Sequence, residues 1–95
     1  WGSPDMSNTR RHKIGNIKGL HARASAKLAA VVEEFDATAT VSKDGMDAGG
    51  DSIMGLLMLA ASVGTYIDVT TRGPEAAALS DAIQALVEDK FGEGD

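Results

Sequence analysis

Leu28, Val31, Val32 and Phe35 recur at helical spacing inside an alanine-rich stretch that opens near Ala22, which predicts an amphipathic helix starting just after His21. From Ala37 to Ser42 threonine and valine alternate with small residues, Asp44-Gly45 is a strong turn pair, and Met46 to Ala48 returns as a second, shorter strand; together they predict a hairpin. Ser52 then precedes the apolar run Ile53 to Ala61, so it has the position and chemistry of a helix N-cap, with Gly64 as the stop. Tyr66 to Thr71 alternates again, Ile67 and Val69 pointing one way and Asp68 and Thr70 the other, which describes a half-buried strand. Pro74 is placed to open a last helix whose apolar stripe is Leu79, Ile83, Leu86, Val87 and Phe91, and order is expected to end at Gly92 with a fraying tail. With an extended segment over Arg10 to Ile14, the order is β-α-β-β-α-β-α. It predicts an α+β fold in which three helices cover one face of a small antiparallel four-stranded sheet.

Ninety-five residues at 43% hydrophobic content suffice for one domain with one core. Residues 1–5 read as a cloning remnant ahead of Met6, leaving a single domain over 6–95 with an ordered core from about 10 to 91. So short a chain cannot enclose a deep substrate cavity, so its chemistry belongs near the surface. The absence of cysteine removes disulfides, thiolate nucleophiles and sulfur-bound zinc, and two histidines, His12 and His21, do not make a metal site by themselves; no metal and no cofactor is expected. There is no apolar run of membrane-spanning length and no signal-peptide pattern, so a soluble cytoplasmic protein without membrane insertion is the expectation.

Charge refines this picture. The net charge is −5, yet six of the nine basic residues, Arg10, Arg11, Lys13, Lys18, Arg23 and Lys27, lie in the first 27 positions. A local positive field suits an anionic ligand or an acidic partner. Nucleic acid is a poor fit, because the overall charge is negative and only Tyr66, Phe35 and Phe91 remain for stacking outside the remnant.

The chemistry concentrates at His21, in Lys18-Gly19-Leu20-His21-Ala22-Arg23, where a glycine-containing loop runs into a helix. The first free backbone N–H groups of that helix, on Ala22 and Arg23, form an anion site reinforced by the helix dipole, and a phosphate on His21 would be held there. The Arg23 guanidinium can pair with phosphate oxygens through its planar fork. His12, between Arg11 and Lys13, has no such logic and is assigned to a solvated strand position. The apolar run after Ser52 exceeds what a partly exposed helix can bury. Either it forms pure core, or Ile53, Met54 and Leu57 make a docking patch with adaptable methionine contacts.

Gly-Leu-His-Ala-Arg at 19–23, followed by Ala-Ser-Ala-Lys-Leu, resembles the active-site signature of HPr, the histidine-containing phosphocarrier family of the bacterial sugar phosphotransferase system. The segment Ser52 to Leu59 resembles that family's second signature, and the element order matches its open-faced two-layer sandwich. The resemblance spans roughly Arg10 to Phe91. It implies that His21 is phosphorylated at Nδ1 by phospho-Enzyme I with Arg23 beside it, and that the phosphoryl group passes to an EIIA-type acceptor protein. The chain would be a carrier between enzymes and no enzyme itself. It implies too that Ser52 can be the target of an HPr kinase/phosphorylase, against the plainer reading of Ser52 as a helix cap. One departure stands out: the family usually has proline where this chain has Ala24. Alanine keeps the helix but permits a looser start. Two rivals remain open: the nitrogen-related branch of the same relay, that of NPr, and a non-catalytic adapter regulated only at Ser52.

Overall fold

The computed structural model describes residues 7–93, so the expected remnant at 1–5 lies outside the described residues. Its elements are β1 (Asn8–Lys13), α1 (Ala22–Glu33), β2 (Thr38–Lys43), β3 (Met46–Gly49), α2 (Ile53–Met58), β4 (Tyr66–Arg72) and α3 (Ala76–Glu88), closed by a 3-10 turn over Lys90–Gly92. The strands form one antiparallel sheet in the order β1-β4-β2-β3, the predicted open-faced α+β arrangement. Asp44 and Gly45 both take positive φ, 51° and 81°, so the β2–β3 turn follows the right-handed twist of its strands.

Alternation decides which sheet face is covered. Val41, Ile67 and Val69 point inward and are fully buried, while Thr40, Asp68 and Thr70 occupy the bare face. Against the inward side α1 presents Leu28 and Val32, α2 presents Leu56, and α3 presents Leu79, Ile83 and Val87. The bare face is tied by polar cross-strand pairs. Arg11 makes two hydrogen bonds to the Asp68 carboxylate at 2.9 and 3.2 Å, and the hydroxyls of Thr9 and Thr70 meet at 2.9 Å.

Four element ends differ from the sequence reading. The second helix stops at Met58 and not at Gly64, because Ala60 turns left-handed (φ 52°) and Ala61 is withdrawn to accept a backbone bond from Leu20. The last helix opens at Ala76, and Pro74 lies in the turn before it; the Glu75 carboxylate bridges to the Asp36 N–H at 2.6 Å instead of capping its own helix. Phe91 sits beyond the helix with φ 55°, yet it is completely buried, so the chain remains anchored past Gly92 to Glu93. At the other end, β1 starts at Asn8, ahead of the expected core boundary at Arg10.

His12 corrects a further expectation. Its side chain points to the helix layer and only 7% of the residue is exposed, because the alternation of β1 places Arg11 and Lys13 outward and His12 inward. Its Nε2 has no hydrogen-bond partner among the described residues. Burial, with Arg10 adding to it, pushes the His12 imidazole below its ordinary pKa; Glu88 on α3 and Asp68 on β4 oppose the shift. The unfolded chain therefore takes up a proton near pH 6.5 that the folded protein refuses until lower pH. His12 thus supports the fold fully above that pH, and this support is lost as the pH falls from it toward the folded pKa. Thermal melts from pH 7.5 to 5 should show a shallower decline of Tm in His12→Leu than in the wild type. Parallel curves would show that His12 does not couple protonation to folding.

Candidate functional site

The loop before α1 is built by backbone bonds and one small residue. The Asn16 side-chain N–H donates to the Gly19 carbonyl at 2.7 Å, and the Gly19 N–H returns to the Asn16 carbonyl at 3.1 Å. Leu20, buried to 4% exposure, donates its N–H to the Ala61 carbonyl at 2.8 Å, and Ser25 Oγ donates to the Leu20 carbonyl at 3.1 Å. Gly19 is where the two loops press together. Its φ is 65°, and a Cβ there would lie 2.3 Å from the Ala61 oxygen.

His21 follows as the N-cap of α1, with extended backbone (φ −77°, ψ −175°), and its side chain is 27% exposed. Nδ1 accepts the Arg23 backbone N–H at 3.3 Å. The ring therefore does the work usually given to serine or aspartate at this position. Because Nδ1 is an acceptor there, the proton of the neutral ring belongs on Nε2. Nε2 faces the Glu93 carboxylate, with which it forms a hydrogen bond. The other Glu93 oxygen accepts from Asn16 Nδ2 at 3.0 Å. These two bonds, His21 first, hold the Glu93 carboxyl below the usual carboxylate range, and Lys18 adds to the effect.

The residues singled out in the sequence fall into two groups. His21, Ala22 and Arg23 share the start of α1, where the Lys18 and Arg23 side chains are exposed. Leu57 approaches from α2, half-buried, lining a shallow groove of about 260 Å³ with Lys18, Leu20, His21, Ala60, Ala61 and Ser62. Ser52 is exposed and caps α2, its Oγ accepting the Gly55 N–H at 3.1 Å. Beside it Ile53 is 41% and Met54 70% exposed, and Met58, which the sequence reading passed over, is 69% exposed. Met58 falls on the same helix one turn after Met54, which was signal enough. Asn16 and Glu93 were missed as well. Wider depressions, about 410 Å³ by Arg11 and Asp68 and about 600 Å³ between β1 and α3, lie away from His21. Among the described residues no group of three or more histidines and carboxylates could hold a metal ion, and no helix is long and apolar enough to cross a membrane.

A partly exposed imidazole whose Nδ1 lone pair meets an N–H of the first helical turn is suited to carrying an anion, and comparison with known proteins supplies the context. A family model described as PTS HPr component phosphorylation site matches residues 8–89. The chain belongs to the HPr family. The phosphocarrier protein HPr of Cupriavidus necator is 43% identical over 82 residues, covering 86% of this chain and 92% of the relative. The phosphocarrier protein NPr of Shewanella violacea is 45% identical over 84 residues, covering 88% and 92%. Among solved structures, HPr from Thermoanaerobacter tengcongensis superposes with a TM-score of 0.87 at 31% identity, over 90% of this chain and 97% of that one. This HPr-family membership makes the chain a phosphocarrier of the phosphotransferase system. The matched span stops at residue 89, short of Glu93.

Because the site hangs on the contact beneath Gly19, Gly19→Ala should be damaging out of proportion to one methyl group. The left-handed backbone alone costs about 1 to 2 kcal/mol, and each kcal/mol lowers Tm by about 4 to 8 °C in a domain of this size. A calorimetric scan checks this; an unchanged Tm would show that the two loops are not held together there.

Proposed function

We propose that this carrier accepts a phosphoryl group on Nδ1 of His21 from phospho-Enzyme I and passes it to an EIIA-type protein in the cytoplasm. The observation that carries the reading is the His21 ring itself: Nδ1 is unprotonated at the N-terminus of α1, its lone pair held only by a long 3.3 Å bond from the Arg23 N–H, on a residue exposed enough to be reached. In the forward step the Nδ1 lone pair forms the new N–P bond while the donor's bond to phosphorus breaks, and its electron pair leaves with the donor. The Arg23 N–H that caps Nδ1 in the resting ring is then free to meet a phosphoryl oxygen, with the Ala22 N–H beside it. The Arg23 guanidinium, exposed at the same end of the helix, pairs with the remaining charge. Transfer onward reverses these events on a histidine of the acceptor. Ala24 is completely buried and helical where the family usually has proline, so the first turn is held by packing and not by a fixed φ.

Ile53, Met54 and Leu57, with Met58, supply the apolar docking face for Enzyme I and the acceptor. Ser52 at its rim is the regulatory position, a substrate for an HPr kinase/phosphorylase. Phosphorylation would add about −1.5 to −2 charge beside apolar groups that must shed water on docking.

Incubation with phosphoenolpyruvate and a matching Enzyme I should add one phosphoryl group to the wild type, stable in alkali and lost in acid, and none to His21→Ala. Equal labelling of that variant would overturn the proposal.

Aspartate also caps helices well, so Ser52→Asp should melt as the wild type does. Its affinity for Enzyme I should nevertheless fall about 5- to 150-fold, the equivalent of about 1 to 3 kcal/mol of desolvation and repulsion at the face. Calorimetric titration measures this, and wild-type affinity would leave Ser52 as a helix cap only.

A further inference from the structure

The end of the chain follows a path that its local sequence does not favour. Lys90, Phe91 and Gly92 take left-handed φ values of 53°, 55° and 74° in succession, two of them on residues that pay a steric cost for it. Burial of Phe91 and a 2.6 Å bond from Lys27 Nζ to the Phe91 carbonyl hold the turn. Its result is to bring Glu93 back over the loop before α1. There the Glu93 side chain is only 9% exposed, one oxygen bonded to Asn16 and the other to His21 Nε2.

From this geometry we infer that Glu93 is a positioning residue for phosphoryl transfer: it holds the Nε2 proton of His21 and balances the charge the ring acquires when Nδ1 is phosphorylated. The inference rests on the carrier reading of His21. A neutral imidazole that keeps its Nε2 proton while Nδ1 spends its lone pair on phosphorus becomes a phosphoimidazolium with one full positive charge. The carboxylate sits against the atom bearing that proton, so the bond between them is neutral-to-charged before transfer and charged-to-charged after it. No proton has to enter or leave, and the reverse step regenerates the neutral ring for the next cycle. Asn16 supports the arrangement from behind: its amide N–H groups serve both Glu93 and the Gly19 carbonyl, so the loop and the carboxylate move as one piece. A plain tether between chain end and loop would need the Asn16 bond alone, and would be indifferent to the charge facing Nε2.

Glu93→Gln keeps the size and an accepting oxygen but removes the charge; Glu93→Ala removes both. The full-length variants are labelled with phosphoramidate, a small donor that needs no docking, and the His21 Nε2–H proton is followed by NMR. Labelling should slow by about 10-fold in Glu93→Gln and further in Glu93→Ala. The Nε2–H resonance should move upfield in the first and broaden by exchange with water in the second. Wild-type rates in both variants overturn the inference, and so does a slowed rate with an unmoved Nε2–H signal, which would reduce Glu93 to a tether. If Glu93→Ala unfolds, Glu93→Gln decides by the same two readouts. His21→Ala is run alongside: label retained there would overturn the carrier reading itself, whereas label lost there with wild-type Glu93 variants overturns only the role of Glu93.

Discussion

The 2.8 Å bond from the Leu20 N–H to the Ala61 carbonyl closes two loops on each other at the site, their far ends being tied by the bonds of Ile14 to Gly64 and Thr65. It draws the end of α2 inward, forces Ala60 into left-handed space, and leaves room at Gly19 only for hydrogen. Leu20 is thereby sunk into the core, and the next residue, His21, emerges at the rim as the cap of α1. The groove where Leu57 approaches His21 is the other side of the same contact. With only one covered sheet face, the fold has no interior to lend to chemistry. It offers instead a rigid edge where two helix ends and a loop converge.

Periodicity made the element order readable, because each helix stripe and each alternating strand had one face to bury. Leu28 and Val32, Ile67 and Val69, Leu79 and Ile83 all lie where their spacing puts them. The ends were harder to read, since they depend on contacts between residues far apart in the chain. Nothing local to Ile53–Ala61 says that Ala61 will be claimed by Leu20, and nothing local to Phe91 says that a left-handed aromatic will be buried completely. His12 shows a related failure. Its charged neighbours argued for solvent, but strand alternation alone would have placed it inward, opposite in sense to Arg11 and Lys13.

Of the candidate site, His21, Ala22, Arg23 and Ser52 were legible because each occupies a helix start, a position whose chemistry is written in adjacent residues. Glu93 was hidden by its distance of 72 positions from His21. The one clue was an aromatic residue at the close of the apolar stripe: a buried Phe91 means that the residues beside it are ordered too. Asn16 was hidden differently, as a turn residue whose second partner comes from the opposite end of the chain.

The bare sheet face has a bearing on how such a molecule lives among its neighbours. Its side chains are already engaged with one another: Arg11 with Asp68, Thr9 with Thr70, and Ser42 Oγ with the Asp47 carboxylate at 2.6 Å. A face whose charged groups are paired with one another, and whose exposed Tyr66 ring lies under the Arg11 guanidinium at 6.0 Å, has less to gain from adhering to another protein. A shuttle must leave each host as readily as it arrives. In such traffic a face with few unpaired polar groups lets chance collisions end without capture.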